Sequence, residues 1–463
     1  MEQTAERGKA TLTEGPIAKT LFFFALPILF GNVLQSLNGS INSIWVGKFL
    51  GETALAATSN ANIIMFFLLS SIFGIGMAST ILIGQSIGAK DMEQAKRVVG
   101  SSALFFFTLA IIIAAAGYIL SPHILSWMHT PADVLPLAMA YTRILFVGIP
   151  FMYGYNFIMM ILRGSGDSKT PFYFLLLSVG LDILFNPLLI FGIGPFPKLG
   201  IAGSALSTFI AQVVSLICLT IYLYRKEYFL RITRTELHYL RFDSQIIGSL
   251  IKKGIPMGFQ MMVVSSSAIA LVNLVNRFGS DATAAYGAAT QLSNYIQMPA
   301  MAIGAAVSSV TAQNVGAGKW DRVHRTTLIG VLFNFLMSGV LAALLYVYNR
   351  EALSLFLPAQ GNAINIGMHI NSLTLWAFVL FGINFVLAGV IRSTGAVVVP
   401  LMVTFIALWI IRIPLAYYLA GAYGLDSIWW SFPISFSIAV CLSLLYYLFG
   451  NWKQAKMLEA KKI

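Results

Sequence analysis

Apolar stretches of about 20 residues or more recur from residue 17 to residue 450, each closed by a short polar segment. About 20 apolar residues in an α-helix cross the hydrocarbon core of a bilayer, so each stretch is long enough to span one. The apolar residues run on continuously and do not alternate, which excludes the period-two pattern of a membrane β-barrel. Twelve spans are expected, at 17–46, 53–83, 96–121, 132–162, 170–192, 201–224, 246–276, 282–312, 325–349, 362–391, 398–420 and 426–450. The fold class is therefore all-α integral membrane. Residues 1–16, MEQTAERGKATLTEGP, are polar with mixed charge and hold no apolar run of the signal-peptide kind, so no cleavable signal is expected.

The longest polar interior segment, RKEYFLRITRTELHYLRFDSQ at 225–245, follows the sixth span. It divides the chain into a tail at 1–16, a six-helix lobe at 17–224, a linker at 225–245, a second six-helix lobe at 246–450 and a tail at 451–463. The lobes repeat one another. GETALAATSNAN at 51–62 matches GSDATAAYGAAT at 279–290, and GIGMAS at 74–79 matches AIGAAV at 302–307. GQSIGAKDMEQAKR at 84–97 matches AQNVGAGKWDRVHR at 312–325, at the same spacing of 228 residues and without a gap. Pro27 and Pro256 stand at nearly the same offset. Six crossings return the chain to the side it started from, so the halves are parallel repeats about an axis along the membrane normal, an arrangement of secondary transporters. The chain has no G-x-x-x-x-G-K-[ST] loop and no soluble domain to carry a nucleotide, so an ion gradient is the expected energy source.

Composition agrees: 58% of the residues are hydrophobic and only 10% charged, where a soluble domain carries about 25%. The net charge of +12 would suggest nucleic acid if its placement did not decide otherwise. With the N-terminus inside, 23 of the 29 Lys and Arg fall on the cytoplasmic side. The charge thus reports orientation by the positive-inside rule, with both termini cytoplasmic, in a multi-pass protein of the cytoplasmic (inner) membrane. No nucleic-acid partner is expected. Cys218 and Cys441 lie inside apolar spans as packing residues, and the five histidines show no ligand spacing. Neither a metal nor a cofactor is called for.

One acid breaks the pattern. Asp182 sits about 12 residues into span 5, roughly 18 Å from its start and near the midplane. A charged acid at that depth is costly, and intramembrane acids mark ion or proton pathways. Ser178, Asp182 and Asn186 recur every four residues and share one helix face. Pro187 removes a backbone donor, which permits a kink at Ile183. Span 1 carries Gln35, Asn38 and Asn42 on one face. Span 6 carries Ser204, Thr208 and Gln212 on another. Convergence of the three stripes is the expected site. The competing reading for the Asn and Ser stripes is plain helix–helix bonding, and for Asp182 an ion pair with Arg143 of span 4. Arg412 of span 11 is expected to snorkel toward the outer interface.

The run VGKFLG with ALAA at 46–57, the GQSIGAKD loop, LRGSGDSKTP at 162–171, DILFNPLLIFG at 182–192 and LGIAGSALSTFIAQ at 199–212 resemble, in order and spacing, the multidrug and toxic compound extrusion (MATE) family. The resemblance covers residues 17–450 and is nearer the DinF-like than the NorM-like branch. It implies two six-helix lobes and export of cationic or amphipathic compounds against H⁺ or Na⁺. It also implies N-lobe cavity roles for Gln35 and Tyr141. The DinF-like branch carries an acid where this chain has Asn42, and Asn-x-x-x-Asp-Pro where this chain has Asp182-x-x-x-Asn186-Pro187. The acids that the NorM-like branch carries in spans 7 and 10 are absent. One acid remains, which favours a proton over Na⁺.

The expected function is a secondary antiporter that exports small organic compounds, driven by proton influx through Asp182, and acts as a monomer in the lipid bilayer. Pro27, Pro187 and Pro256 are the expected bending points. A Na⁺-coupled exporter of the same family is the alternative. A lipid-linked oligosaccharide flippase of the wider superfamily would need a more cationic cavity than Arg143 and Arg412 supply. A lipid-modifying enzyme would need a constellation that His123, His129 and Asp133, in a loop between spans, do not make.

Overall fold

The computed structural model describes residues 12–358 and 361–458. Among them it is helical with no strand, and the long helices are numbered here in chain order. The first six are α1 (Ile17–Leu50), α2 (Glu52–Gly88), α3 (Met92–Trp127), α4 (Leu135–Gly164), α5 (Lys169–Phe191) and α6 (Ile201–Arg225). The second six are α7 (Ser244–Val275), α8 (Ser280–Gly316), α9 (Trp320–Val347), α10 (Asn362–Arg392), α11 (Val398–Tyr423) and α12 (Leu425–Phe449). All twelve spans expected from hydropathy coincide with these helices. The helices α1, α2, α3 and α8 hold 34 to 37 residues. At 1.5 Å per residue that exceeds the roughly 30 Å of hydrocarbon, so their polar ends project beyond it. At the start of α3 the Asp91 carboxylate accepts from the Gln94 N–H, an N-cap that satisfies a donor with no partner inside the helix.

Eleven of the helices are long and apolar enough to cross a membrane. The remaining one, α8, has the length but is rich in Ala, Ser, Gln and Asn. Burial explains the difference: the helix is enclosed for most of its length, with Ser308, Ser309, Thr311, Gln313 and Asn314 all buried. Small side chains let α9 and α10 approach it closely, as at other helix interfaces in membranes. Internal prolines are common: Pro27, Pro122, Pro150, Pro187, Pro256 and Pro299 lie inside α1, α3, α4, α5, α7 and α8, and α11 and α12 carry Pro414 and Pro433. Bilayer helices tolerate these because neighbouring groups satisfy the freed carbonyls.

The chain forms two compact units: unit 1 holds Phe30–Ile251, and unit 2 holds Leu12–Leu29 with the described residues from Lys252 on. The first half of α1 packs into the apolar core of unit 2, where Leu21, Phe24 and Ile28 meet Ile303, Val307 and Val390. Its second half belongs to unit 1. Within unit 1, α5 and α6 lie in close contact because Gly203 has no side chain; a Cβ there would come within 2.4 Å of the Leu189 carbonyl oxygen. That approach brings Ser207, one turn further along α6, against α5.

Candidate functional site: a buried carboxylate in unit 1

Asp182 is buried on α5 at 2% exposure, enclosed by neutral donors. Its Oδ2 accepts from Asn38 Nδ2 at 2.8 Å and from Asn42 Nδ2 at 3.0 Å, both on α1. Its Oδ1 accepts from Ser207 Oγ at 2.7 Å and, more weakly, from Thr208 Oγ1 at 3.2 Å, both on α6. Ser207 Oγ also lies 2.9 Å from the Asp182 backbone carbonyl. The polar network continues outward: Asn186 Nδ2 donates to Asn42 Oδ1 at 2.5 Å. Three helices therefore contribute to one cluster: α1 and α5 each through a four-residue step on one face, and α6 through the adjacent Ser207 and Thr208, which straddle the carboxylate.

No Lys, Arg or His among the described residues forms an ion pair with Asp182. The alternative partner, Arg143, turns instead to Ser121 Oγ at 3.4 Å and lies over the Tyr118 ring at 5.1 Å. The ion-pair reading is therefore incorrect. Hydrogen bonds to a charged group contribute about 1.5–3 kcal/mol each, so several neutral donors offset the desolvation of the carboxylate without a counter-charge. Two amide oxygens of the network, Asn38 Oδ1 and Asn186 Oδ1, are buried and make no hydrogen bond.

The remaining candidates divide. Tyr141 on α4 is buried and within electrostatic reach of Asp182. Ser178 is buried one turn before Asp182 but is not among the partners of its carboxylate. Gln35 is exposed and does not join the cluster: it shares the Asn42 face but stands about two turns earlier along α1. Pro187 follows Asn186 directly within a continuous α5, and Pro27 lies within α1. Pro256 lies in α7, in unit 2. Ser207 is the partner that the polar stripes of the sequence do not single out. It stands three residues after Ser204, a spacing as compatible with one helix face as the four-residue step that picked out Thr208.

A family model described as MatE matches residues 27–188 and again residues 256–418. The chain belongs to this family. The two matches begin 229 residues apart, close to the 228-residue offset of the sequence repeat. Over 441 residues, 95% of each chain, the protein is 38% identical to the probable multidrug resistance protein YoeA of Bacillus subtilis (strain 168). It is 33% identical to the probable multidrug resistance protein YpnP of the same strain, over 97% of this chain and 99% of that one. A solved MATE structure in a straight conformation superposes with a TM-score of 0.88 at 21% identity, covering 96% of this chain and 99% of the other. The protein is thus a multi-pass membrane transporter, not an enzyme.

Unit 2 of this MATE chain has a different chemistry. Arg412 does not snorkel: it is 6% exposed and its Nε donates to Ser435 Oγ at 2.9 Å. Its guanidinium lies over Phe432 at 4.4 Å and Phe436 at 4.2 Å. The snorkelling expectation fails because two aromatic faces on α12 offer the cation an internal alternative to water. Arg412 closes a π-helical segment, Ile406–Arg412, within α11. Arg392, which ends α10, is also buried, with Nη1 donating to Gln260 Oε1 at 2.9 Å. Gln260 in turn donates to Thr404 Oγ1 at 2.7 Å.

Proposed function

We propose that this protein is an efflux antiporter of the cytoplasmic membrane that exports organic, cationic or amphipathic compounds, driven by proton entry at Asp182. The similarity to probable multidrug resistance proteins supports the substrate class. The positive-inside distribution of Lys and Arg supports cytoplasmic termini. The observation that carries the coupling role is a buried carboxylate held by neutral donors from three helices with no cation beside it. Charge at this point is set by what binds to the acid and not by a fixed partner.

Protonation removes a buried charge whose desolvation costs several kcal/mol, and it turns one carboxyl oxygen from acceptor to donor. The unpartnered Oδ1 of Asn38 provides an acceptor after a half-turn of its amide. The same half-turn breaks the Asn38 Nδ2 bond that ties α1 to α5. Proton loading thereby changes how α1 is held, and a two-state element biased by one ligand is the minimum a coupled transporter requires. Asn42, Asn186 and Thr208 support the acid in this reading, and Pro27, Pro187 and Pro256 provide the bending points.

A second reading, Na⁺ coupling, rests on the same amide oxygens. Rotated inward, Asn38 and Asn42 would supply neutral oxygens beside the carboxylate, the hard-ligand chemistry such an ion favours. Proteoliposomes loaded with a fluorescent organic cation separate the two. Uphill export under an imposed pH gradient, and none under an imposed Na⁺ gradient at equal pH with the membrane potential collapsed, is the expected result. Robust uphill export on Na⁺ alone overturns the proton assignment.

A further inference from the structure

Residues 226–243, between α6 and α7, form a strap folded against the starting end of α3. Thr233 and Glu236 make a capping box that opens a short helix, Arg234–Tyr239. Glu236 also pairs with Lys96 at 2.5 Å, and Asp243 pairs with Arg97 at 2.6 Å. Ser101 Oγ donates to the Arg241 carbonyl at 2.8 Å. Gly100 admits the strap's backbone, since a Cβ there would come within 2.3 Å of the Tyr239 carbonyl oxygen.

Under this strap lies a cavity of about 470 Å³, within the range of ligand sites. Its walls come from α3, α4, α6 and the strap, among them Val99, Phe107, Phe157, Leu223, Leu237 and Leu240. The lining is almost wholly apolar, and Arg231 is its charged member. It is distinct from the Asp182 cluster.

Three observations on the strap identify the occupant. First, its acids are all engaged: Glu227 with Arg231, Glu236 with Lys96 and Asp243 with Arg97. Second, Arg234 and Arg241, with Arg225 at the end of α6 where the strap begins, are exposed and make no ion pair, leaving an uncompensated positive edge. Third, Leu237, Leu240 and Phe242 are 55%, 42% and 57% exposed beside those arginines. Apolar side chains next to basic ones at the end of a transmembrane bundle form an interfacial segment that attracts anionic headgroups.

We propose that the cavity under the strap is a binding site for an anionic phospholipid, with an acyl chain among the α3, α4 and α6 side chains and the phosphate at the strap's arginines. The apolar walls accept the chain. The cationic edge selects the headgroup over a zwitterionic one.

The test is native mass spectrometry of the full-length protein, released from membranes into mild detergent and offered phosphatidylglycerol and phosphatidylcholine in equal amounts. Wild type is expected to retain phosphatidylglycerol preferentially. Each of Arg234→Gln and Arg241→Gln, exposed substitutions that leave the fold intact, should cut that preference about fivefold. Ala103→Trp, which fills the cavity, should abolish retention of both lipids, while Leu344→Trp, on the exposed face of α9, should not. Equal retention of the two lipids by wild type, an undiminished preference in the arginine variants, or full retention by Ala103→Trp each overturns the site.

Discussion

Asp182 is held by donors that carry no charge, and this decides how its neighbours act on it. Ser207→Ala removes the shortest bond to the carboxylate and thereby destabilises the anion. A bond of this kind contributes about 1.5–3 kcal/mol, roughly tenfold or more in occupancy. If the coupling ion is a proton, the variant loads it at a lower proton concentration, and the pH of half-maximal drive rises. If the ion is Na⁺, the change appears in the Na⁺ concentration needed and not in the pH of half-maximal drive. Transport measured against pH in proteoliposomes reads the sign. Asp182→Asn should insert and fold, since an amide fits the same space, but should lose uphill efflux and keep only passive leak. Near-normal efflux by a well-expressed Asp182→Asn would reduce the residue to a structural role. At this scale much of the site was legible in the sequence. An acid in an apolar helix, with amides at four-residue spacing on its own helix and on α1, foretold the cluster. Ser207 was missed because serine recurs throughout such helices, and a hydroxyl that ties helices is indistinguishable in sequence from one that holds an ion. Arg412 was misjudged because the aromatic pair that receives it lies on another helix.

Among the elements, apolar runs located the helices well because membrane length and hydropathy are directly coupled. The least apolar of them, α8, is marked as well by its repeat with α2, since a helix buried among other helices need not be apolar on every face. The strap was read only as a polar linker, although the Thr233-x-x-Glu236 capping box is visible in the sequence. Its docking to α3 depends on partners more than 130 residues away in sequence, which local pattern does not reveal. It also carries a pH dependence with a definite sign. Its bond to Lys96, with further bonds from Thr233, holds the Glu236 carboxyl down at about 2, against an ordinary 4.5. For Asp243, burial alone would raise the carboxyl, but the Arg97 bond and two backbone N–H groups outweigh it and the net shift is downward. A depressed acid stabilises the docked form fully above its unfolded value and loses that contribution as pH falls through the folded one. Strap docking should therefore be complete at neutral pH and weaken between about 4.5 and about 2. An environment-sensitive dye on a His238→Cys variant should report the release, and Glu236→Gln should show it already at neutral pH. A signal flat across that interval in wild type would mean that the strap is held by its apolar contacts alone.

For the whole molecule, a duplicated sequence houses two unlike chemistries. Unit 1 buries an acid among neutral donors. Unit 2 buries two arginines, one against aromatic faces and one against an amide, with no acid paired to either among the described residues. Duplication therefore kept the helical frame, whose packing constrains residue size and spacing, while the polar groups inside it diverged. If proton coupling resides in Asp182, the two units are separable by mutation. Arg412→Met keeps the length and apolar packing of the side chain and removes a cation that water does not solvate. Replacing a buried charge by a well-packed apolar group is often neutral or stabilising, so the variant should fold with undiminished heat stability. Its substrate preference is free to change, but its efflux should still rise with an imposed pH gradient, with the slope of wild type. Asp182→Asn should show no slope at all. Both are measured in the same proteoliposomes, at substrate concentrations matched to each variant's own half-saturation. An Arg412→Met that folds, binds substrate and no longer responds to the gradient would move the coupling step out of unit 1 alone and require the arginine as its second participant.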